Sequence, residues 1–520
     1  MCGIMVSVDV YPQEQFKKEF EKMQRRGPDK TVIRSWGKAI LGFHRLAIMG
    51  LTDCGMQPFT LGDWALVCNG EIYNYLELAK RIPEYEFQSG SDCEILLPLL
   101  DKFGTSAFHM LEAEFALVAY DKQHDRILAC RDEIGIRPLF YGLKNGKIAF
   151  ASEAKALTSV CDEVHPFPPG HYYDNGIWVD YRKPIETKLH TVEEATKQIH
   201  DALVAAVRQR LMADVKVGFL LSGGLDSSLV CALGARMVDA PITTFAIGMD
   251  TDAIDLKYAR DVADRIGSDH HEVKMTMDQV FHVLEEVIQC LETYDTTTIR
   301  ASLGMYLLCQ YIREKTDIKV VLTGEVSDEL FGYKYTDFAP SPEAFQLESL
   351  KRVKELYMYD VLRADRCISS WGLEGRVPFA AGNFVNHVLS IDPTLKMNTN
   401  GTGKYLLRKA FEKDALLPDH ILWRQKAAFS DAVGHSMVEH LIARANELYP
   451  NFTFDQAKKK YPQNPPLTAE AYWYRELFTK YYPQKDDLIV SYWMPNQDWL
   501  DEPVTDPSAR VLKNYDQSGL

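Results

Sequence analysis

Residues 220–228, LLSGGLDSS, join an apolar run to a helical pattern and set the architecture of the second half of the chain. The preceding VKVGF predicts a buried strand, and the following SSLVCALGARMV predicts a helix. Gly223 and Gly224 let backbone N–H groups approach an anion, at the positive end of that helix. The lysine of the common G-x-x-x-x-G-K-[ST] loop is missing, and Asp226 indicates a bridging Mg²⁺. A plain glycine-rich turn is the alternative.

Strands and helices alternate on both sides of this loop. TTFAIGM (243–249) precedes KYARDVADRIG (257–267), and IKVVLTG (318–324) closes the predicted series. This alternation predicts a parallel sheet covered on both faces, with ligands at the carboxyl ends of its strands. A second loop, TGEVSDELFG (323–332), is acidic. Its carboxylates either complement a helix dipole or complete a Mg–nucleotide site with the first loop.

The pattern differs before about residue 185. Short β-type runs dominate there, and the Asn-Gly pairs at 145–146 and 175–176 predict tight hairpins. This region is therefore predicted to be an antiparallel α+β domain spanning residues 1–185. RKPIETKLH (182–190) is typical of a linker, and Thr191 and Glu194 form a capping box that begins a second domain, 191–520.

Composition limits the function classes. The 520 residues contain 58 Lys and Arg against 73 Asp and Glu, a net charge of −15, which disfavours nucleic acids and anionic membranes as partners. The start of the chain is not typical of a signal peptide, and apolar runs are too short to span a bilayer. The ten scattered cysteines lack C-x-x-C spacing, which is typical of reduced thiols in a cytoplasmic protein.

Several motifs together point to a family. MCGI, RRGPD, FHRLAI, CNGEIYN, GSDCE and GIRPLFYG resemble the glutaminase domain of class II glutamine amidotransferases. LLSGGLDSS, FAIG, ETYDTTTIRAS, LRADR, SYWMP and TDPSAR resemble glutamine-hydrolysing asparagine synthetases. The resemblance runs from Cys2 to about residue 510. It implies an α+β N-terminal nucleophile hydrolase sandwich (αββα), followed by an α/β adenine-nucleotide α-hydrolase-like domain with a parallel sheet.

The resemblance implies a glutaminase site that begins at Cys2. Removal of Met1 would give Cys2 a free α-amine, with an unperturbed pKa of about 7.7–8.0, to act as the base for its own thiol. Asn69 and the Gly70 N–H would stabilise the oxyanion, at roughly 3–4 kcal/mol per donor. The implied glutamine-binding residues are Arg45 for the carboxylate, Leu46, Ala47 and Ile48 along the pocket, Asn69 and Gly70, and Asp92 with Glu71 for the α-ammonium.

The resemblance also implies a synthetase site that converts aspartate to asparagine through β-aspartyl-AMP, releasing AMP and pyrophosphate. Glu325 would assist adenylation and take a proton from the attacking ammonia. Asp226 and Asp328 would hold Mg²⁺, and Thr297 and Arg300 would bind aspartate. The implied ATP-binding residues are Leu221, Ser222, Gly223, Gly224, Asp226, Ser227, Ile247, Thr323, Gly324 and Lys426. The implied partners are glutamine, aspartate and ATP, with homodimerisation an open question.

The sequence departs from the family pattern on the synthetase side. Thr323 and Val326 replace Ser and Gly, Ala380 and Ala381 replace Leu-Asp, and Ala427 replaces Glu. Valine is poorly suited to positive φ, so the acidic loop has either ordinary dihedral angles or strain. Two alternatives remain open: a related amidotransferase acting on another carboxylate, and a regulatory homologue with impaired synthetase activity.

Overall fold

The first half of the chain is built on two six-stranded antiparallel sheets. The computed structural model describes residues 1–188, 191–251, 254–399, 401–425 and 435–515. The strands are β1 (Gly3–Val8), β2 (Lys30–Trp36), β3 (Ala39–Arg45), β4 (Phe59–Leu61), β5 (Trp64–Ile72), β6 (Ala113–Asp121), β7 (Arg126–Arg131), β8 (Phe140–Lys144), β9 (Lys147–Ala151), β10 (Glu163–Pro166), β11 (His171–Asp174) and β12 (Ile177–Asp180). One sheet has the order β10-β8-β9-β1-β3-β2, and the other has β12-β11-β7-β6-β5-β4.

Helices cover the outer faces of this pair of sheets. α1 (Gln13–Glu21) packs Phe16 and Phe20 towards the first sheet, and α2 (Tyr75–Ala79) and α3 (Leu96–Phe103) lie with the second. A separate apolar cluster fills the space between the sheets, because alternate residues of β1, β3, β5 and β6 point inward. The result is the predicted αββα sandwich.

Both predicted hairpins are confirmed. Asn145 and Gly146 join β8 to β9 with φ values of 52° and 75°, and Asn175 and Gly176 join β11 to β12 with 45° and 105°. Asparagine and glycine adopt this left-handed region more readily than other residues, so each pair sets a tight reversal.

The second half is built on a five-stranded parallel sheet with the order β15-β14-β13-β16-β17. Its strands are β13 (Val217–Leu220), β14 (Thr243–Met249), β15 (Asp269–Met275), β16 (Val320–Leu322) and β17 (Glu374–Arg376). Its helices are α4 (Val192–Arg210), α5 (Leu225–Met237), α6 (Ile254–Ile266), α7 (Met277–Leu291), α8 (Thr296–Lys315), α9 (Ser327–Phe331), α10 (Pro342–Glu355), α11 (Asp360–Ser369), α12 (Gly382–Ser390), α13 (Pro393–Lys396), α14 (Tyr405–Phe411), α15 (Asp419–Leu422), α16 (His435–Leu448), α17 (Phe454–Lys460) and α18 (Ala469–Tyr481).

The predicted parallel sheet is confirmed, but the prediction that IKVVLTG closes it was wrong. The sheet continues to β17, and β15 lies at the opposite edge. The sequence DHHEVKM of β15 is polar because this strand lies at an edge and is mostly exposed or half-buried. β17 has only three residues, EGR, all buried, so neither length nor apolar character indicates a strand. The capping box of Thr191 and Glu194 is present at the start of α4.

The two halves meet across a set of buried ion pairs. Arg26 pairs with Asp365 at 2.8 Å, and Arg366 lies 3.3 Å from Glu153. Two further pairs are Arg210 with Glu114 at 2.8 Å and Arg376 with Glu71 at 3.1 Å. All eight side chains are at most 6% exposed. Among the helices that the structure describes, none is long and apolar enough to cross a membrane.

Candidate active sites

Cys2 lies at the start of β1, beside the end of β3. Its Sγ is 3.5 Å from the backbone N of Leu46, and its carbonyl accepts a hydrogen bond from Arg26 Nε at 2.9 Å. Burial raises the pKa of the thiol to about 11, against the opposing effect of the adjacent terminal ammonium. Burial also lowers the pKa of the Met1 amine, which donates to the Leu373 carbonyl at 3.0 Å, to about 6. While Met1 is present, the terminal amine belongs to Met1 and is bound to Leu373, so it does not serve as the base for the Cys2 thiol.

Asn69 and Gly70 lie in the middle of β5. The N–H groups of Cys68 and Ile72 both point to the edge of β5 away from β6, where they donate to the side chains of Gln57 and Asp92. Because backbone direction repeats every second residue of a strand, the Gly70 N–H points to the same edge. A Cβ at this position would lie 2.6 Å from the Glu114 carbonyl, so only glycine fits.

The Asn69 side chain is buried, and its Nδ2 makes no hydrogen bond to any residue that the structure describes. An unsatisfied buried donor normally costs free energy, which indicates that a ligand supplies the acceptor. The geometry of β5 therefore brings together two donors of the kind that an oxyanion requires.

Several of the other predicted glutamine-binding residues already have protein partners. Arg45, at the end of β3, donates to the carbonyls of Gly50 and Thr52. Glu71 pairs with Arg376, and burial followed by the nearby Asp92 carboxylate raises its pKa. Leu46 and Ile48 are buried, and the Ala47 N–H donates to Asp29 at 2.8 Å.

Asp92 is buried, and its Oδ2 accepts from the Ile72 N–H at 2.6 Å. Burial raises its pKa to about 6, and hydrogen bonding to the backbone opposes that shift. The carboxylate also accepts a backbone hydrogen bond from Cys93. A buried carboxylate is suited to receiving an ammonium group, whose positive charge would offset the cost of its burial. Glu71 is less suited than predicted, because Arg376 from the second half already neutralises it.

A cavity of about 230 Å³ opens at the carboxyl ends of β13, β14 and β16. It brings together most of the residues predicted for the synthetase site. Those that line it are Leu221, Ser222, Gly224, Asp226, Ser227, Ile247, Thr297, Arg300, Thr323, Gly324, Glu325 and Asp328. The position follows the rule that parallel sheets bind ligands at the carboxyl ends of their strands. Lys426 and Ala427 lie outside the described residues.

The phosphate-type loop has the backbone that its glycines predict. Gly223 has φ 73°, and a Cβ there would lie 2.6 Å from the backbone N of Ala259. The hydroxyls of Ser222 and Ser227 are 3.0 Å apart and close the turn. Gly324 of the acidic loop lies so close that a Cβ would be 2.7 Å from the Ser227 N. The two loops thus form one cradle at the start of α5.

Sequence reasoning missed Lys404, which lies between the two predicted metal ligands. Its Nζ is 2.8 Å from both carboxylate oxygens of Asp226 and 2.6 Å from Asp328 Oδ1. Ser327 Oγ lies 3.0 Å away. The two carboxylates therefore converge on one cation position. The glycines of GTGK (401–404) could have drawn attention to this lysine, which itself has φ 57°.

Glu325 and Thr297 both face the cavity, but only Glu325 has a protein partner there among the described residues. Glu325 is paired with Arg363 at 2.7 Å, a buried arginine that also contacts Asp360. This pair fixes the carboxylate position and was also missed, although LRADR includes Arg363. The Thr297 hydroxyl is buried and makes no hydrogen bond among the described residues, as expected for a ligand contact.

Val326 has φ 79° and ψ −17°, so the acidic loop is strained rather than ordinary. The side chain is only 2% exposed and packs in the apolar cluster beneath the cavity. Ala380 and Ala381 are also buried in that cluster and do not line the cavity. Of these departures, Thr323 and Val326 alone contact the cavity among the described residues.

The comparisons with known proteins agree with this geometry. The family model described as "Asparagine synthase" matches residues 198–345 and 337–502, which is more than half of the chain. The chain belongs to the asparagine synthase family. A glutamine amidotransferase domain model matches residues 1–177 of this family member. Its confirmed resemblance to glutamine-hydrolysing asparagine synthetases thus extends over both halves.

Relatives of this asparagine synthase family member span nearly its full length. A probable asparagine synthetase [glutamine-hydrolyzing] from Schizosaccharomyces pombe is 41% identical, over 99% of each chain. The asparagine synthetase [glutamine-hydrolyzing] of Homo sapiens is 41% identical, over 95% of each chain. Among solved structures, a glutamine phosphoribosylpyrophosphate amidotransferase from B. subtilis, complexed with ADP and GMP, covers 52% of this chain and 65% of its own, with 15% identity and a TM-score of 0.31.

Proposed function

We propose that this chain is a glutamine-hydrolysing asparagine synthetase. It hydrolyses glutamine at the Cys2 site and uses the ammonia to convert aspartate and ATP to asparagine, AMP and pyrophosphate. The main support is the cavity at the carboxyl ends of β13, β14 and β16, where the phosphate-type loop, the acidic loop and the start of α8 meet. Family membership and full-length relatives with this printed activity agree with it.

The glutaminase reaction begins once Met1 is removed. The freed amine of Cys2 accepts the thiol proton, and the thiolate attacks the amide carbon of glutamine. The resulting oxyanion receives hydrogen bonds from Asn69 Nδ2, which lacks a described protein acceptor, and from the Gly70 N–H. Ammonia leaves with the proton, and water then cleaves the thioester to give glutamate. Arg45 and Asp92 are proposed to hold the substrate carboxylate and ammonium.

When glutamine binds, Arg45 would exchange a backbone carbonyl partner for the substrate carboxylate. The guanidinium donates to two loop carbonyls, and a charged carboxylate is a stronger acceptor than either neutral carbonyl. The substrate would therefore displace at least one of them. Asp92 would keep its bond to the Ile72 N–H while its carboxylate receives the substrate ammonium.

In the synthetase site, the loop 222–228 and the N-terminus of α5 would hold the ATP phosphates. The residues fit a Mg²⁺ ion, because Asp226 and Asp328 converge on one cation position, and Mg²⁺ is typically held by one or two carboxylates together with substrate phosphates and water. A bound Mg²⁺ would neutralise phosphate charge. Lys404 would then turn from the carboxylates towards the phosphates.

The substrate aspartate would lie between Thr297 and Glu325. Its β-carboxylate attacks the α-phosphorus of ATP, and pyrophosphate leaves to give β-aspartyl-AMP. Ammonia then attacks the acyl carbon, Glu325 takes the surplus proton, and AMP leaves with the electron pair of the broken bond. Arg363 holds the Glu325 carboxylate in place for this step.

The test is asparagine formation from aspartate, ATP and glutamine, run beside the same mixture with ammonium chloride. Asparagine in both mixtures supports the proposal. If another carboxylate drives pyrophosphate release and aspartate does not, the chain is a related amidotransferase. ATP binding without turnover in either mixture indicates a regulatory homologue.

The proposed domains are 1–185 for glutamine hydrolysis and 191–520 for synthesis. The linker between them includes residues 182–188, whose only described strand-type contact is an isolated bridge from Lys188 to Ile391. All ten cysteines are free thiols, which supports a cytoplasmic location. Homodimerisation stays a prediction that sedimentation velocity would test.

A further inference from the structure

Arg300 of α8 is held between two carboxylates at one wall of the cavity. Its Nε and Nη2 donate to Glu470 at 2.9 and 2.5 Å, and its Nη1 and Nη2 donate to Asp506 at 3.0 and 2.9 Å. A guanidinium has five N–H donors, so these bonds use four of them. A bidentate bond to a further carboxylate therefore requires one of the two partners to leave.

The two carboxylates differ in how firmly they are held. Glu470 lies on α18, is 2% exposed, and accepts a further bond from the Tyr474 hydroxyl at 2.7 Å. Asp506 lies in an irregular segment, its side chain is 21% exposed, and its second contact is the Ser508 N–H at 2.8 Å. Removing a carboxylate from a buried pair costs more than removing one that water reaches. Asp506 is therefore the exchangeable partner.

Asp506 belongs to a C-terminal segment, residues 504–515, that closes one side of the cavity. Pro507, Ser508 and Ala509 line it. The segment is fastened further along, where Leu512 packs with Tyr335 and the Asn514 side chain donates to the Lys334 carbonyl at 2.8 Å. On the other side of Asp506, the Val504 N–H donates to Gln497 Oε1 at 2.9 Å. Asp506 therefore lies in a short stretch between two fixed points and can leave Arg300 while the rest of the segment stays docked.

The charge of this cluster also disfavours a free substrate. One guanidinium with two carboxylates has a net charge of −1, and aspartate brings two further carboxylates. The Asp506 side chain presents to Arg300 the same chemical group that the substrate would present. An incoming carboxylate that replaces Asp506 restores the bidentate geometry, whereas one that approaches the intact cluster meets repulsion.

We propose that Asp506 competes with substrate aspartate for Arg300, so that the C-terminal segment sets the affinity of the enzyme for aspartate. This inference rests on the proposed function and on the predicted role of Arg300. When the competitor occupies Arg300 most of the time, the apparent dissociation constant of the substrate rises by the reciprocal of the fraction of free sites. The segment thus acts as a built-in substrate analogue.

The test is the dissociation constant of aspartate, measured by calorimetry on the full chain with a non-hydrolysable ATP analogue. Asp506→Asn keeps the size of the side chain and removes its charge. We expect aspartate to bind about 5- to 10-fold more tightly to this variant, as for a competitor that occupies about 80–90% of sites. The affinity for the ATP analogue and the rate of glutamine hydrolysis should not change. Glu502→Gln, an exposed change just before the same segment, is the matched control and should leave aspartate binding unchanged.

A second measurement does not depend on the variant. Aspartate added to the wild-type chain should increase hydrogen exchange in residues 504–508 and leave residues 510–515 protected. Weaker aspartate binding by Asp506→Asn, or unchanged exchange on adding aspartate, would overturn the proposal and make Asp506 a residue that positions Arg300. If the wild-type chain forms asparagine, the proposed function stands whatever the outcome for Asp506. If it forms none, both the proposed function and the competition at Arg300 are overturned.

Discussion

The strain in the acidic loop can be measured from the stability of two variants at Val326. Its φ of 79° is a left-handed conformation that costs an L-residue about 1–2 kcal/mol. The side chain is nevertheless 2% exposed, so its burial contributes about 1.5–3 kcal/mol. Val326→Gly removes both effects, while Val326→Ala removes two methyl groups and keeps most of the strain. Comparing the free energies of unfolding of the two variants separates the cost of strain from the contribution of burial.

The expected difference follows from these values. At a buried position with ordinary dihedral angles, glycine lies below alanine by about 0.8 kcal/mol for the lost carbon and about 0.5–1 kcal/mol for chain entropy. At Val326 the release of about 1–2 kcal/mol of strain cancels this sum. The free energies of unfolding of Val326→Gly and Val326→Ala should therefore agree within about 0.8 kcal/mol.

Urea denaturation of the full chain measures both variants. Ala232→Gly, at a buried position inside α5, is the control and should show the ordinary loss. If Val326→Gly is less stable than Val326→Ala by as much as this control, the loop is not strained and the reasoning fails. Ammonia-dependent turnover of Val326→Gly should change by less than about tenfold, or 1.4 kcal/mol. A much larger gain would favour the regulatory homologue.

Three further predictions concern the two sites. Cys2→Ala should abolish glutamine-dependent asparagine formation and leave ammonia-dependent formation largely intact; loss of both in a folded variant would contradict separate sites. Lys404→Met should let the free chain bind Mn²⁺ without ATP, detected by electron paramagnetic resonance, because Asp226 and Asp328 lose their shared ammonium; absence of binding would count against the shared cation position. The raised pKa of Asp92, about 6, means that its charged form is lost as pH falls through 6. Beyond the fall caused by protonation of the Cys2 amine, the kcat/KM for glutamine should lose about a further tenfold per pH unit below that value. Absence of this additional fall down to pH 5 would show that Asp92 does not bind the ammonium.

Local patterns in the sequence predicted much of the fold. The Asn-Gly pairs set two hairpins, and the alternation of apolar strands with helices predicted the parallel sheet and the edge at which its ligand site lies. β15 and β17 were missed because an edge strand needs no apolar run and three residues give no periodicity. Lys404 was missed for a different reason: it lies 178 residues from Asp226, and only the folded chain brings them together.

The same distinction applies to Arg300. Its place near the aspartate site was predicted from a motif, but its pairing with Glu470 and Asp506 joins residues 170 and 206 positions away. Charged side chains give no periodic signal, and the partner of a buried arginine depends on how distant helices pack. Motifs therefore predicted many of the residues that meet in the cavity but not Lys404 or Arg363, and the structure shows which of them already have protein partners.

The ion pairs between the two halves limit which halves of other enzymes could replace either half of this molecule. Arg26, Arg210 and Arg376 each meet a carboxylate from the opposite half in a place that water does not reach. Removing one member of such a buried pair typically costs about 3–5 kcal/mol. A hybrid that joins this ammonia-producing half to an unrelated second half would leave several buried charges at the interface without their ion-pair partners. Replacement of one half would therefore succeed only if the matching surface of the other half were exchanged with it.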